Sequence, residues 1–519
     1  MEIDAFHQAV AANDIPRAMR LIEGNGTPLY FRGEMEPVVR WLQAQPHKVL
    51  NAYPSLWVTF AWALFIAGQS KQVSAKLLAA EAALGHAPIT SSTPDLYGQI
   101  ATLWSWSAVS QHNIDVIHSQ ATRALELLSA DNQPARTAAH CALGVVLLFR
   151  NERAGARRAF SEVVTTGQSN GNMMFTVAAS IALAGIEASD NQLRSAADTY
   201  RRALQMITDP DHLIGCEAHL GLARILYEWN ELDEAEFHAL KSSKLAARSE
   251  SENGLGGDVL RARMMLARED NDSAVSLLAQ ASVAAKTKLF TGRMQEIAEV
   301  QVVEMLRRGE VSGAAYLATQ QKLPLAQAKA FLAQGNGSAA FSIIDAHRRA
   351  MVEKGYPNEV LKALVTQVMT LAALDRRTEA IQVLNEALVL AEPGEYIRIF
   401  VDEGIVMAKL LAEAASQAIK PDYVAKLLSV FALQEPMKQS EITRAAPQFS
   451  APTVESYSPR ELEILHLMQQ GRSNQEISER LFLSLSTVKW HNQNIFGKLQ
   501  VQRRTEAVAR AMELKLFTA

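Results

Sequence analysis

Cysteine is nearly absent: Cys141 and Cys216 are the two in 519 residues, each inside a helical apolar pattern with no Cys or His at metal-ligand spacing. A disulfide framework is thereby excluded and no metal site is expected; reduced core thiols fit both positions better than a redox switch. No basic N-terminal segment leads into an apolar run. No stretch approaches the roughly 18 uninterrupted apolar residues of a membrane span, so a cytoplasmic protein with no membrane partner is expected. Proline, glycine and low-complexity tracts show no excess, which argues against disorder. Also missing are the phosphate loop GxxxxGK[ST] and a nucleophile elbow, and GlyLeuGlyGly at 254 reads as a loop between repeats, so neither a cofactor nor an enzyme is expected.

Net charge is small, -4, but unevenly placed. Residues 457–519 carry nine Lys/Arg against six Asp/Glu, leaving the rest of the chain acidic. That excess of three is weak evidence for nucleic acid by itself, because it also suits a solvated face.

At 519 residues the chain exceeds one compact core, unless part of it is a quasi-one-dimensional array. A repeated pattern supports the array. From His219 to Arg248, Leu220, Ala223, Leu226 and Tyr227 share a helix face, Asn230 and Glu231 make a polar turn, and Ala235, Ala239 and Leu240 face back from a second helix. Aligning units on the residue opening the second helix, Ala75, Ile117, Ala156, Ala196, Ala235, Ala274 and Ala314, gives steps of 42, 39, 40, 39, 39 and 40. Small residues belong where two helices cross closely. Phase is lost between Val311 and Gly355, where a shorter unit closes at 334, and a last unit has Ala380 in the small position. The pattern resembles tetratricopeptide repeats with lengthened helices; a generic helical bundle is the competing account. Arrays of this kind bind a peptide, protein or small ligand and rarely perform chemistry.

The C-terminal segment has signals of four short helices. Ser458 with Glu461 is a capping box and Pro459 fits the first helical position. Gly471 can close that helix in a left-handed turn. Ser473 with Glu476 is a second capping box, and the apolar set Ile477, Leu481, Leu483, Val488 has helix-turn-helix spacing, with the small Ser478 where the helices touch. On the third helix Val488, Asn492, Ile495 and Leu499 form an inward stripe, while Ser486, Lys489, Trp490, Gln493 and Asn494 take the opposite half. No Asp or Glu lies between Leu481 and Arg504, which suits a face approaching phosphates.

Here the sequence resembles a known family. The run from Ser458 to Leu516, with GlyArgSerAsnGlnGluIle, SerThrValLysTrpHis, IlePheGlyLysLeu and ArgThrGluAlaVal, is similar throughout to the LuxR-type DNA-binding domain. PheArgGlyGlu at 31, TrpLeu at 41, TyrProSerLeuTrp at 53 and the segment AlaLeuValLeuAlaGluProGlyGluTyrIleArgIlePheValAspGluGly at 387 resemble the repeat domain of MalT-like large LuxR regulators. That family carries an N-terminal nucleotide-binding switch. Residue 1 already matches the part that comes after the switch, so ATP control is not expected of this chain, whether it is a naturally short form or a fragment.

The expected fold is all-α: a tetratricopeptide-like α-solenoid, a superhelix of αα-hairpins, followed by a small four-helix LuxR-type helix-turn-helix domain. Its divisions are a helical lead-in at 1–50, repeats at 51–433, a Pro/Ser/Ala-rich linker at 434–456 and the head at 457–519. Lys489, Trp490 and Gln493 match family positions that meet base edges; a solvated Lys489 and a packing role for Trp490 are the plainer alternatives. Asn474, Ser486, Thr487, His491, Asn494 and Lys498 suit the DNA backbone, with a structural role close behind for His491. The resemblance implies a dimer surface on the fourth helix at Ala507, Val508, Ala511 and Met512, against simple packing on the first helix. Double-stranded DNA, a second copy on it, RNA polymerase and an unidentified effector or protein on the repeats are the expected partners of a transcription regulator. An interaction scaffold with a vestigial or non-specific head is the alternative.

Overall fold

The computed structural model describes residues 2–434 except 24–27, 33, 110, 208, 248–252 and 289–290. In the head it describes 459–513 except 482, 484–487, 489–490, 493–494, 497–498, 500 and 502. Among the described residues every regular element is helical. The chain divides into two compact units: Met1–Leu222 with Ser242–Gly257 and Arg349–Val360, and Ala223–Lys241 with Asp258–Arg348 and Leu361–Ala519.

One turn is repeated along the chain. Asn13, Gly68, His112, Asn151, Asn191, Asn230, Glu269, Gly309, Gly335 and Asp375 all have positive φ. Each lies two residues before the first residue of a helix, as at Asn151, where Arg153–Asn170 returns against Gln133–Phe149. The next amide bonds back five residues, Glu152 N–H to the Leu147 carbonyl at 2.8 Å and Glu231 N–H to the Leu226 carbonyl at 2.9 Å. This closure satisfies carbonyls that a helix end leaves open, and Asn or Gly is favoured because the left-handed conformation suits them. Five residues after each turn stands a buried residue: Ala18, Val73, Ile117, Ala156, Ala196, Ala235, Ala274, Ala314, Ala340 and Ala380, each at most 1 % exposed.

This register corrects two sequence readings, at Ala75 and at GlyLeuGlyGly 254, and adds detail to the lead-in. Ala75 is exposed, and Val73 holds the inward position of its hairpin, because phase runs from the turn at Gly68 and not from residue size. The lead-in already contains a hairpin, Glu2–Ala11 and Ile15–Glu23, built on Asn13. GlyLeuGlyGly at 254 opens the helix Asn253–Ala267 instead of forming a loop. The unit that lost phase contains two helices of ten residues each, Val311–Gln320 and Pro324–Ala333, and the turn at Gly335 restores it.

In the first unit Phe31, Trp62 and Phe175 pack ring to ring, with Phe31 5.0 Å and Phe175 6.3 Å from Trp62. Trp106 lies 5.2 Å from Phe175. The buried Phe31, Trp41 and Trp57 of the family-like segments thus belong to the core. Asn172 caps the helix Met173–Ser189, accepting from Phe175 N–H, while its amide donates to the Pro134 carbonyl at 3.0 Å. One side chain thereby satisfies a helix end and ties it to the neighbouring hairpin. Packing is tight at Gly221, where a Cβ would stand 2.2 Å from Cζ of Tyr200.

Among the described residues no helix is long and apolar enough to cross a membrane. After the last hairpin, residues 392–404 depart from the repeat: a short turn at Glu392–Gly394, positive φ at Glu395 and Gly404, and a four-residue helix Arg398–Val401 between them. Helices Ile405–Ser416 and Pro421–Gln434 come next.

Candidate nucleic-acid interface

The head begins with the helix Pro459–Gln469, started by Pro459 as expected and closed by Gly471 at φ 77°. The amide of Arg472 bonds to the Leu467 carbonyl at 3.1 Å, the same closure as in the repeats. Helix Asn474–Leu481 is next, and its capping box is reciprocal: Ser473 N–H donates to the Glu476 carboxylate at 2.7 Å and Glu476 N–H donates to Ser473 Oγ at 3.3 Å. Those bonds to Ser473, helped by Arg472, hold the Glu476 carboxyl below its usual range. Ser458, the cap read for the first helix, lies outside the described residues.

Val488, Ile495 and Leu499 are helical and at most 4 % exposed, packed with Ile464, Leu465, Met468, Ile477, Leu481 and Leu483. Asn492 shares the stripe at 7 % exposed. Its amide donates to Asn474 Oδ1 at 2.9 Å, joining the third element of the head to the start of the second. Ser478 is buried where the elements meet. The inward stripe read from periodicity is therefore the inward stripe of the structure.

The site residues fare differently. Lys489, Trp490, Gln493, Ser486, Thr487, Asn494 and Lys498 lie outside the described residues. Asn474 is half-buried, its oxygen accepting from Asn492 and from Arg504 at 3.1 Å. His491 is 4 % exposed, which favours the structural role weighed for it beside a phosphate contact. Ala507 and Ala511 are fully buried in the head core, where the helix Arg504–Glu513 packs on the first helix. These two methyls line an internal seam, the packing weighed against a dimer surface; Val508 is partly buried and Met512 is 52 % exposed. Sequence reasoning missed Arg504, which also reaches the Arg472 carbonyl and so anchors the last helix to the mouth of the second. Nothing in helical periodicity marks such a tie across thirty residues.

A helix pair with an ordered capping box, standing on an apolar core, is a scaffold on which a third helix can meet DNA. A family described as the MalT-like TPR region matches residues 98–417. The chain belongs to the MalT-like TPR family. Residues 455–511 match a second family, bacterial regulatory proteins of the luxR family, over the head just described. The HTH-type transcriptional regulator MalT of Serratia proteamaculans (strain 568) is 23% identical over 557 residues, covering 98% of this chain and 60% of that protein. MalT of Yersinia pestis (strain Pestoides F) is 23% identical over 555 residues with the same coverage. The MalT-like chain thus spans about 60% of the length of these relatives. Among solved structures, a Rap protein complexed with Competence and Sporulation Factor has a TM-score of 0.52 and 10% identity, covering 66% of this chain and 99% of that one; at this identity the likeness is one of fold.

Proposed function

We propose that this MalT-like chain is a sequence-specific DNA-binding transcriptional regulator whose helical repeat domain takes an effector or a protein partner. The observation that carries the reading is the luxR-family head: its match covers residues 455–511, and its described core turns Val488, Ile495 and Leu499 inward. The stretch between Leu481 and Arg504 has no carboxylate and supplies Lys489, Trp490 and Gln493 for base edges, with Ser486, Thr487, Asn494 and Lys498 for phosphates. The repeats at 51–433 supply the sensing part, the residues 434–456 a linker and 457–519 the head. A Rap protein of related fold was solved with a bound factor, which supports ligand capture by the array. Two copies on DNA would place half-sites about 34–36 Å apart, with Val508 and Met512 left as the candidate contact and RNA polymerase as a further partner.

The test is selection from random-sequence duplexes by the full chain, then gel shift of the selected and an unrelated duplex at about 50 and 200 mM salt. An enriched sequence retained at the higher salt is expected. No enrichment, with all binding lost at the higher salt, would favour an interaction scaffold with a non-specific head.

A further inference from the structure

The segment 394–404 reaches back to residues 227–230, 165 to 175 positions earlier in the chain, within the second unit. Ile397 N–H donates to the Glu228 carbonyl at 2.7 Å, and Ile399 N–H to the Glu228 carboxylate at 3.1 Å. Trp229 Nε1 donates to the Gly394 carbonyl at 2.8 Å, and Arg398 to Asn230 Oδ1 at 3.3 Å. Lys329 pairs with Glu403 at 2.5 Å. At the centre Asp402 accepts from Tyr227 Oη at 2.7 Å and pairs with Arg398 and, at 3.5 Å, with Arg263. Both guanidiniums also lie over the Tyr227 ring, at 5.5 and 4.9 Å.

Three features distinguish this docking from ordinary packing of neighbouring hairpins. Backbone and charged groups bond the segment to residues 227–230 beside the buried Ile397 and Ile399, and one carboxylate serves three donors. Losing it takes the countercharge from the fully buried Arg398, so the set closes or opens as a whole. The segment is irregular and bounded by left-handed residues Glu395 and Gly404, so no continuous helix holds it in place. Its apolar side belongs to the C-terminal helices of the repeat domain: Phe400 packs edge-on against Tyr423 at 6.3 Å, and Tyr423 Oη donates to the Tyr396 carbonyl. The segment is therefore fastened to the helices that precede the head and clipped by charge to an earlier hairpin.

We propose that residues 394–404 are a two-state clasp, whose release from residues 227–230, Arg263 and Lys329 frees the C-terminal helices of the repeat domain. The test is hydrogen exchange on the full chain. Asp402→Asn keeps the shape and removes the charge; exchange should rise at least tenfold in 394–404 and in 226–231 together, while the helices Pro54–Ile66 and Gln133–Phe149 stay at native rates. Glu228→Cys with Ile397→Cys, oxidised, should slow both segments below native rates, and the native Cys141 and Cys216 are buried and do not compete. A uniform rise over the whole chain, a rise on one side alone, or no change would overturn the clasp. The link to regulation rests on the function proposed above and is read by affinity for the selected duplex. At least a fivefold difference between the oxidised and reduced double-cysteine chain is expected, and equal affinity would overturn the link. Failure of every form to bind DNA would sink the reading of the head and leave the exchange test standing.

Discussion

Arg504 and Asn474 meet at 3.1 Å, the guanidinium donating to the side-chain oxygen that Asn492 also uses. The first residue of the head's last helix and the first of its second are thus joined, with the Arg472 carbonyl as a further acceptor. Arg504→Ala should lower the stability of the head by about 1 kcal/mol, since hydrogen bonds to charged groups are stronger than average but this one is partly in water. Asn474→Ala should do likewise. Thermal unfolding beside DNA titration separates the roles: weaker DNA binding with an unchanged unfolding temperature would return Asn474 to a phosphate contact.

Gly221 faces Tyr200 too closely for any side chain, a Cβ being placed 2.2 Å from Cζ and 2.5 Å from the hydroxyl oxygen. Tyr200 is 6 % exposed and has little room to retreat. Gly221→Ala should therefore cost about 1–3 kcal/mol, the range for an overpacked core. Chemical denaturation measures it, and adding Tyr200→Leu should recover part of the loss. Additive losses in the double variant would mean the two residues do not press on each other.

Most of the repeat was legible because its register is local. The polar turns at Asn151, Asn191 and Asn230, and the small residues five positions on, recur at nearly constant phase. Where the inward residue is Val73 or the unit is shortened before Gly335, size-based alignment slips, because backbone handedness at the turn sets the phase. The head was legible to its core, Val488, Ile495 and Leu499, for the same reason of periodicity. Periodicity did not separate a seam from a surface at Ala507 and Ala511, since a buried and an exposed alanine look alike on a helical wheel. The docking of 394–404 was invisible, as pairing over more than 160 residues leaves no local signature.

Glu228 offers a pH test. Burial, with Asp402 nearby, holds its carboxyl above the usual 4.5, although Arg263, Lys362 and the Ile399 amide pull the other way. A folded-state value above the unfolded one means that stability is fully present below pH about 4.5 and is lost as pH rises through the folded value. The ionised carboxylate is then a cost near neutrality. Glu228→Gln removes it and still offers an oxygen to Ile399, so its melting temperature should exceed that of the native chain at pH 7.5. The gap should shrink as pH falls below about 4.5. A less stable variant at pH 7.5 would show that attraction to Arg263 and Lys362 outweighs burial.

Lys489 and Lys498 should fail differently on DNA. A lysine at a base edge discriminates sequence, whereas one at a phosphate adds affinity that salt can replace. Lys489→Ala should keep native helicity and lose about 1–3 kcal/mol on the selected duplex while leaving unrelated DNA nearly unaffected. Lys498→Ala should weaken both duplexes alike and lower the slope of log affinity against log salt by about one. Titrations of both variants on both duplexes at several salt concentrations decide the assignment. If Lys498→Ala altered which sequences bind, or Lys489→Ala weakened all of them equally, the two roles would have to be exchanged.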